Sequence, residues 1–213
     1  MKLYPVSLVL EDKPVVVVGG GKVALRKVRA LLEAGARVTV ISQQACEEIA
    51  DLGREGIVDL KVREYRTGDL EGAVVAVSAT DSRETNEQAA RDARDAGILI
   101  NVVDVPPLCD FYVPAVLKRG DLQIAVSTGG GSPALAASIR QNLEGIFGPE
   151  YAQLLEMLAE AREWIKRQGT RTMAERKALF EEILKSPVLE LIREGKQDEA
   201  RDVLESCISR SSD

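Results

Sequence analysis

The sequence contains no histidine among its 213 residues. Hydrolases with a Ser-His-Asp triad, zinc sites with imidazole ligands and dehydrogenases with a histidine acid are therefore excluded, because each depends on an imidazole ring. Any proton transfer in this protein has to use another group. With 34 aspartates and glutamates in the chain, a carboxylate is the first candidate.

Cysteine is scarce as well. Cys46, Cys109 and Cys207 are an odd number, are widely spaced and form no CxxC motif. This pattern indicates reduced thiols in a cytoplasmic protein, not a disulfide framework or a metal centre. We therefore expect cytoplasmic localisation and no metal-binding residues.

Positive charge and long apolar runs are lacking too. The 28 lysines and arginines leave a net charge of −6, which argues against a partner bound through a nucleic-acid backbone. No apolar run approaches the roughly 18 residues of a membrane span, and Pro5 and Glu11-Asp12 interrupt the N-terminal segment. We expect a soluble chain without a targeting signal or a membrane partner.

The first half of the chain alternates short β-branched runs with helical patterns, which predicts a parallel sheet covered by helices. We expect a Rossmann-like, doubly wound α/β domain over residues 1–113. The predicted strands are 15–18, 38–41, 58–65, 74–78 and 98–103.

The pattern changes after Pro114. Residues 122–127 read as one more strand, and Ser132-Pro133 begins a helix, so we assign 114–147 to a segment that bridges the two halves. Residues 148–213 are predicted to form a helical domain, with a capping box at Thr172 and Glu175. The last five residues, from Ser209, are predicted to be disordered.

A glycine-rich motif follows the first strand. Gly19, Gly20, Gly21, Lys22, Val23 and Ala24 form a G-x-G-x-x-A variant of the dinucleotide fingerprint, placed after four valines and before an amphipathic helix. Glycines allow a pyrophosphate to approach the backbone, and the helix N-terminus favours its charge. We predict Gly19, Gly21, Lys22 and Val23 to bind the cofactor; the alternative is a tight turn with a purely structural role.

The acidic residue that usually follows the second strand of such domains is missing. Ile41 is followed by Ser42, Gln43 and Gln44, which have side chains that form hydrogen bonds but carry no charge. We predict that Ser42 and Gln43 contact the cofactor ribose. The choice between NAD and NADP stays open on these residues, with NAD preferred because Arg37 lies at the other end of the strand.

Two further strand ends carry polar residues. Ala79 and Thr80, with Asp81 and Asn86, are predicted to contact the cofactor, although Asp81 could equally cap the next helix. Asp104 follows the strand 98–103 and precedes Val105-Pro106-Pro107. We predict it to be the catalytic carboxylate; the alternative is an ordinary turn residue.

A second glycine-rich loop precedes the helix at Pro133. Its hydroxyl groups and backbone N–H groups are suited to a carboxylate or phosphate of a substrate. The alternative is a flexible turn with a helix cap. The predicted substrate-binding residues are Ser127, Thr128, Gly129, Gly130 and Ser132.

These motifs together resemble one family. GGGKVALRK, ATD with Asn86, NVVDVP, Phe111 with Pro114-Ala115, and STGGGSPALA with Ile139-Arg140 follow one another at the spacing of the siroheme-synthase N-terminal type. This type comprises precorrin-2 dehydrogenases, some of which are also sirohydrochlorin ferrochelatases. The resemblance runs from residue 5 to about residue 145, while the remainder resembles the family only as a helical module.

The resemblance implies that NAD accepts a hydride from precorrin-2, giving sirohydrochlorin in siroheme biosynthesis, and that Asp104 is the family's key aspartate. It also implies a homodimer formed through 114–147, and it leaves open iron insertion with ferrous ion as substrate. The methyltransferase module of the family is expected on another chain.

The substrate carries many carboxylates, for which nearby cations are candidates, although each could also be an ordinary exposed residue. These cations are Lys22, Lys27, Lys118, Arg119 and Arg140.

A function of another class remains. The same nucleotide fold with a helical tail would suit a non-catalytic NAD-dependent or redox-dependent sensor. The absence of a basic helix-turn-helix and the second glycine-rich loop favour the enzyme.

Overall fold

Five parallel strands form the sheet that the β-branched runs predict. They are β1 (Pro14–Val18), β2 (Arg37–Ser42), β3 (Asp59–Val62), β4 (Val75–Ser78) and β5 (Leu99–Val102), in the order β3-β2-β1-β4-β5. Every pairing is parallel. A computed structural model of the chain describes residues 2–168 and 172–210.

Helices cover both faces of this sheet, which explains why its central strands are almost entirely apolar. Helices α1 (Lys22–Glu33) and α2 (Glu47–Arg54) pack on one face, where Val15 and Val17 point. Helix α3 (Arg83–Asp95) packs on the other face, against Val16 and Val18. The predicted doubly wound α/β fold is confirmed.

The strand order places a crevice beside β1. The connection from β1 runs through α1 to β2 on one side, whereas β4 lies on the other side of β1. The loops that leave the carboxyl ends of β1 and β4 therefore diverge, and doubly wound sheets bind their ligands at this point.

A second compact unit begins at Pro114, and the first spans Leu3–Val113. It starts with an antiparallel pair, β6 (Ala115–Arg119) and β7 (Leu122–Val126), followed by α4 (Pro133–Glu144). Four further helices share one apolar core, as the sequence pattern predicts. They are α5 (Glu150–Gln168), α6 (Met173–Lys185), α7 (Val188–Arg193) and α8 (Gln197–Arg210).

The capping box of α6 is present as predicted. The Thr172 backbone N–H donates to Glu175 Oε2 at 2.6 Å, and the Glu175 N–H donates to Thr172 Oγ1 at 3.3 Å. Each residue thus satisfies a backbone donor that a helix start otherwise leaves without a partner.

Several local predictions were wrong. Strand β6 was not expected, because two of its five side chains are charged and the segment shows no regular alternation in sequence. Strand β3 ends at Val62 instead of continuing to residue 65. Ser82 instead of Asp81 caps α3, with its hydroxyl accepting from the Thr85 N–H.

The predicted disordered tail was also wrong in part. Helix α8 continues through Arg210, so Ser209 and Arg210 are helical, and 211–213 lie outside the described residues. Within the described part of the chain, no helix is long and apolar enough to span a membrane.

Candidate functional site

The turn after β1 depends on two glycines. Gly19 has φ +119°, and a Cβ built on it would lie 2.2 Å from the carbonyl oxygen of Ala79. A Cβ on Gly20 would lie 2.1 Å from the carbonyl oxygen of Gln44. The turn at Gly19 and Gly20 thus passes close to the backbone of the loops after β4 and β2.

Gly21 is different, because a Cβ at this position would meet no atom within 4 Å. It is the N-cap of α1, and this helix has neither a side-chain cap nor an acidic residue in its first turn. The first N–H groups of a helix have no partner within the helix, and they attract anions. Space beside Gly21 and the uncapped helix start together fit a dinucleotide pyrophosphate.

A cleft of about 970 Å³ lies at the carboxyl edge of the sheet, at the upper end of the range for small-molecule sites. The loops after all five strands contribute to its wall. Every predicted cofactor-binding residue and the predicted catalytic residue line it: Gly19, Gly21, Lys22, Val23, Ser42, Gln43, Ala79, Thr80 and Asp104.

The loop after β4 is held by a buried asparagine. Ser78 Oγ donates to Asn86 Oδ1 at 2.7 Å, and Asn86 Nδ2 donates to the carbonyl oxygen of Thr80 at 3.0 Å. Ser78 and Asn86 are both buried. Asn86 therefore fixes the course of the backbone at Ala79 and Thr80, where the cofactor contacts are predicted.

Asp104 has an unusual backbone. Its φ is +59°, in the left-handed region that non-glycine residues enter at a cost. Asp104 is the second residue after the end of β5. Two hydrogen bonds hold the surrounding chain: Asn101 Nδ2 donates to the carbonyl oxygen of Phe111 at 3.0 Å, and the Val103 N–H donates to the carbonyl oxygen of Ser78 at 2.9 Å. Backbone strain of this kind concentrates at functional sites.

Lys27 on α1 lies within electrostatic range of Asp104. Burial lowers the pKa of Lys27, and Arg26 lowers it further, whereas Asp104 and Cys109 act to raise it. The half-buried ammonium group is thus favoured in its charged form by the Asp104 carboxylate.

Two other titratable groups near the cleft are poor acid-base candidates. The Tyr65 hydroxyl donates to Asp92 Oδ2 at 2.7 Å, and burial, followed by this bond, raises its pKa far above the ordinary value. Burial also raises the pKa of the Cys109 thiol. Neither group will exchange a proton readily near neutral pH, which leaves Asp104 as the better candidate.

The second glycine-rich loop belongs to the second unit. Thr128 Oγ1 donates to the carbonyl oxygen of Ser132 and accepts from the Ser132 N–H, both at 3.0 Å. Ser127 Oγ accepts from the Gly129 N–H, and Ser132 Oγ caps α4 by accepting from the Leu135 N–H. The Thr128 hydroxyl thus closes the loop, whereas the Ser127 and Ser132 hydroxyls act as acceptors and keep a proton to donate.

Gly129 and Gly130, which complete the predicted substrate-binding set, both have positive φ. A Cβ on either glycine would meet no atom within 4 Å. The substrate-binding role of the loop stays a prediction.

Comparison with known families accounts for most of the chain. Residues 6–115 match a family described as putative NAD(P)-binding, and residues 119–145 match the central region of the sirohaem biosynthesis protein. Residues 150–208 match the sirohaem synthase dimerisation region. The chain belongs to this NAD(P)-binding family. Its later regions match models of sirohaem biosynthesis proteins. Its first unit is an NAD(P)-binding domain, as predicted.

The relatives that match almost the whole chain are siroheme synthases. A siroheme synthase of Methylococcus capsulatus is 40% identical over 96% of this chain and 43% of its own length. One from Thioalkalivibrio sulfidiphilus is 37% identical over 100% of this chain and 43% of its own length. The chain therefore spans less than half the length of these curated relatives.

A solved structure resembles the chain along its whole length. The protein described as SirC, precorrin-2 dehydrogenase, is 29% identical, with a TM-score of 0.80. The match covers 96% of this chain and 100% of that chain. This agreement extends to the helices after residue 145, where the sequence motifs are uninformative.

The family comparison also bears on the segment 114–147, for which the sequence predicts dimerisation. Most of it matches the region described as central, and the region described as dimerising follows it at 150–208. The role of 114–147 stays a prediction.

Sequence reasoning missed the residues that follow β3. Arg63, Glu64 and Tyr65 line the cleft beside Gln43. They were assigned to the strand because 58–65 alternates between polar and apolar residues. Had the strand been ended at Val62, their position at the carboxyl edge of a parallel sheet would have identified them.

Proposed function

We propose that the chain catalyses the NAD-dependent oxidation of precorrin-2 to sirohydrochlorin. The observation that carries this proposal is the position of Asp104. Its backbone is strained, and its carboxylate lies on the same cleft as the dinucleotide turn. The similarity to siroheme synthases and to SirC supports the choice of substrate.

Residues of the first unit have different roles in this reaction. Gly19 and Gly20 shape the turn, the uncapped start of α1 binds the pyrophosphate, and Asn86 holds the loop at Thr80 in place. NAD supplies the hydride acceptor when it is bound. The substrate loses a hydride and a proton, and Asp104 accepts the proton as general base.

The cations proposed to bind the carboxylates of the substrate are not equally available. Arg119 Nε donates to the carbonyl oxygen of Phe147 at 2.8 Å, and Arg140 forms an ion pair with Glu144. Lys22 lines the cleft, and Lys27, also on α1, lies within electrostatic range of Asp104. We therefore place substrate carboxylates first at these two lysines.

The direct test mixes the purified chain with precorrin-2 and NAD and follows NADH formation together with the macrocycle spectrum. SirC serves as the positive control for substrate quality. We expect NAD-dependent turnover at a rate comparable to SirC. Tight NAD binding without turnover would contradict the proposal and favour the non-catalytic sensor.

We further propose a homodimer assembled through the helices of 150–208, supported by the match to the dimerisation region. Sedimentation equilibrium of the purified chain measures this directly, and a monomer at micromolar concentration would contradict it. Cytoplasmic localisation stays a prediction that rests on the cysteine pattern.

Iron insertion is proposed as a second activity on the same cleft, with ferrous ion as substrate and Asp104 as the group that accepts pyrrole protons. Its support is the sequence resemblance together with the exposed Asp104 carboxylate. The rate of metal insertion into sirohydrochlorin with and without protein tests it. An unaccelerated rate would limit the chain to the dehydrogenase reaction.

A further inference from the structure

A carboxylate, Glu64, follows β3, the strand that lies next to β2. Strand β3 pairs in parallel with β2, with Ser42 opposite Val62, so the residues after both strands emerge side by side. Gln43 Nε2 donates to Glu64 Oε1 at 2.9 Å. Both residues line the cleft.

The bond between these side chains sets what each presents to a ligand. Gln43 uses its amide nitrogen to hold Glu64, and the Ser42 hydroxyl donates to the carbonyl oxygen of Gln44 at 2.7 Å. A carboxylate accepts several hydrogen bonds, so Glu64 remains able to accept from a hydroxyl of a ligand. The strongest acceptor at this corner of the cleft is therefore Glu64.

The cation nearest in sequence to Glu64 is already engaged. The Arg63 guanidinium donates to both carboxylate oxygens of Asp69, at 2.7 and 2.6 Å. Asp69 also accepts from the Arg66 N–H at 2.7 Å, and the bond from Arg63 lowers the pKa of Asp69. This fork uses two of the five guanidinium N–H donors and balances the Arg63 charge with a carboxylate, which weakens its attraction for a phosphate.

We infer that Glu64, positioned by Gln43, selects NAD over NADP. Its carboxylate accepts a hydrogen bond from the ribose 2′-hydroxyl of NAD and repels the 2′-phosphate of NADP. The inference rests on the proposed function in one respect, that the cofactor is NAD. It concerns nucleotide binding to the NAD(P)-binding domain and not the reaction of the substrate. Glu64 thereby takes the part of the acidic residue that follows the second strand in other dinucleotide-binding sheets.

Titration calorimetry of the full chain with NAD and with NADP tests this inference without substrate. We expect wild type to bind NAD more tightly, and Glu64→Gln to shift the ratio of the two dissociation constants toward NADP roughly tenfold, as the loss of one repulsion across solvent implies. Gln43→Ala should shift the ratio in the same direction by a smaller factor. Glu55→Gln, a carboxylate-to-amide change at an exposed residue outside the cleft, should leave it unchanged.

Salt dependence separates charge repulsion from a change of shape. Raising the ionic strength should narrow the NAD preference of wild type but leave that of Glu64→Gln nearly constant, because screening weakens only the repulsion by Glu64. Thermal unfolding of each variant checks that the first unit is folded.

Two results would overturn the inference. One is a ratio in folded Glu64→Gln within about twofold of the wild-type value, and the other is equal wild-type affinity for both nucleotides. Failure of precorrin-2 oxidation with NAD selectivity intact would refute the proposed function and leave this inference standing. Precorrin-2 turnover with NAD, together with an unchanged ratio of the NAD and NADP dissociation constants in Glu64→Gln, would support the proposed function and refute this inference.

Discussion

Asp104 combines a strained backbone with an exposed carboxylate at the carboxyl edge of the sheet. A non-glycine residue with positive φ costs about 1–3 kcal/mol unless its surroundings enforce the conformation. Aspartate and asparagine tolerate this region better than other side chains. The chemistry of residue 104 can therefore be changed without altering its backbone.

We predict that Asp104→Asn lowers the rate of precorrin-2 oxidation by about 100-fold or more, because the general base is lost. NAD affinity and the unfolding temperature should stay near the wild-type values, since asparagine accepts the same φ. Steady-state kinetics and calorimetry measure both quantities. Undiminished turnover by a folded variant would remove Asp104 from the mechanism.

At the scale of elements, the β1–α1 turn separates packing from ligand binding. The side of the turn at Gly19 faces the loop after β4, whereas the position of Gly21 opens toward the cleft. Helices α3, α4 and α6 begin with side-chain caps from Ser82, Ser132 and Thr172. Helices α2 and α7 lack such a cap but have acidic residues in their first turn, whereas α1 has neither. This start of α1 is thus arranged for a ligand.

Two glycine substitutions should separate these roles. Gly21→Ala should leave the unfolding temperature unchanged, because its Cβ meets no protein atom, but weaken NAD binding at least about tenfold by crowding the pyrophosphate. Gly19→Ala should lower the unfolding temperature, because its Cβ would collide with the Ala79 carbonyl oxygen. Differential scanning calorimetry and NAD titration distinguish the two. Equal effects of both substitutions on stability would contradict this reading of the turn.

The loop after β3 is predicted to respond to acid. The pKa of Asp69 is lowered in the folded chain, first by the hydrogen bond from Arg63. Its ion pair therefore contributes stability above about pH 4, the ordinary range of an aspartate, and this contribution is lost as pH falls through the lower folded-state pKa. Asp69→Asn should lower the unfolding temperature by a few degrees at neutral pH. On acidification, the unfolding temperature of this variant should fall less than that of wild type. Parallel acid dependence of wild type and variant would contradict this.

At the scale of the whole molecule, the residues proposed for NAD binding all belong to the first unit, Leu3–Val113. Four loops from distant parts of the sequence form that site, at the ends of β1, β2, β3 and β4. The second unit contributes the glycine-rich loop at 127–132 and the helices that match the dimerisation region. Nucleotide binding and assembly are thus assigned to different parts of the chain.

Hydrogen exchange with and without NAD tests this division. A ligand at 100 times its dissociation constant stabilises the folded state by about 2.7 kcal/mol, which should slow exchange in the cleft loops. We expect protection at residues 19–25, 42–45, 63–65 and 79–82. Protection confined to residues outside these loops would contradict the assigned site.

The sequence alone determined the α/β fold and the dinucleotide turn, because periodicity and glycine spacing are local properties of the chain. The tertiary structure decided what those patterns cannot express. It brought Glu64 to Gln43, 21 residues away, because β3 pairs with β2. It also set the φ of Asp104, because the contacts that hold the chain there come from Ser78 and Phe111, which the fold brings next to β5.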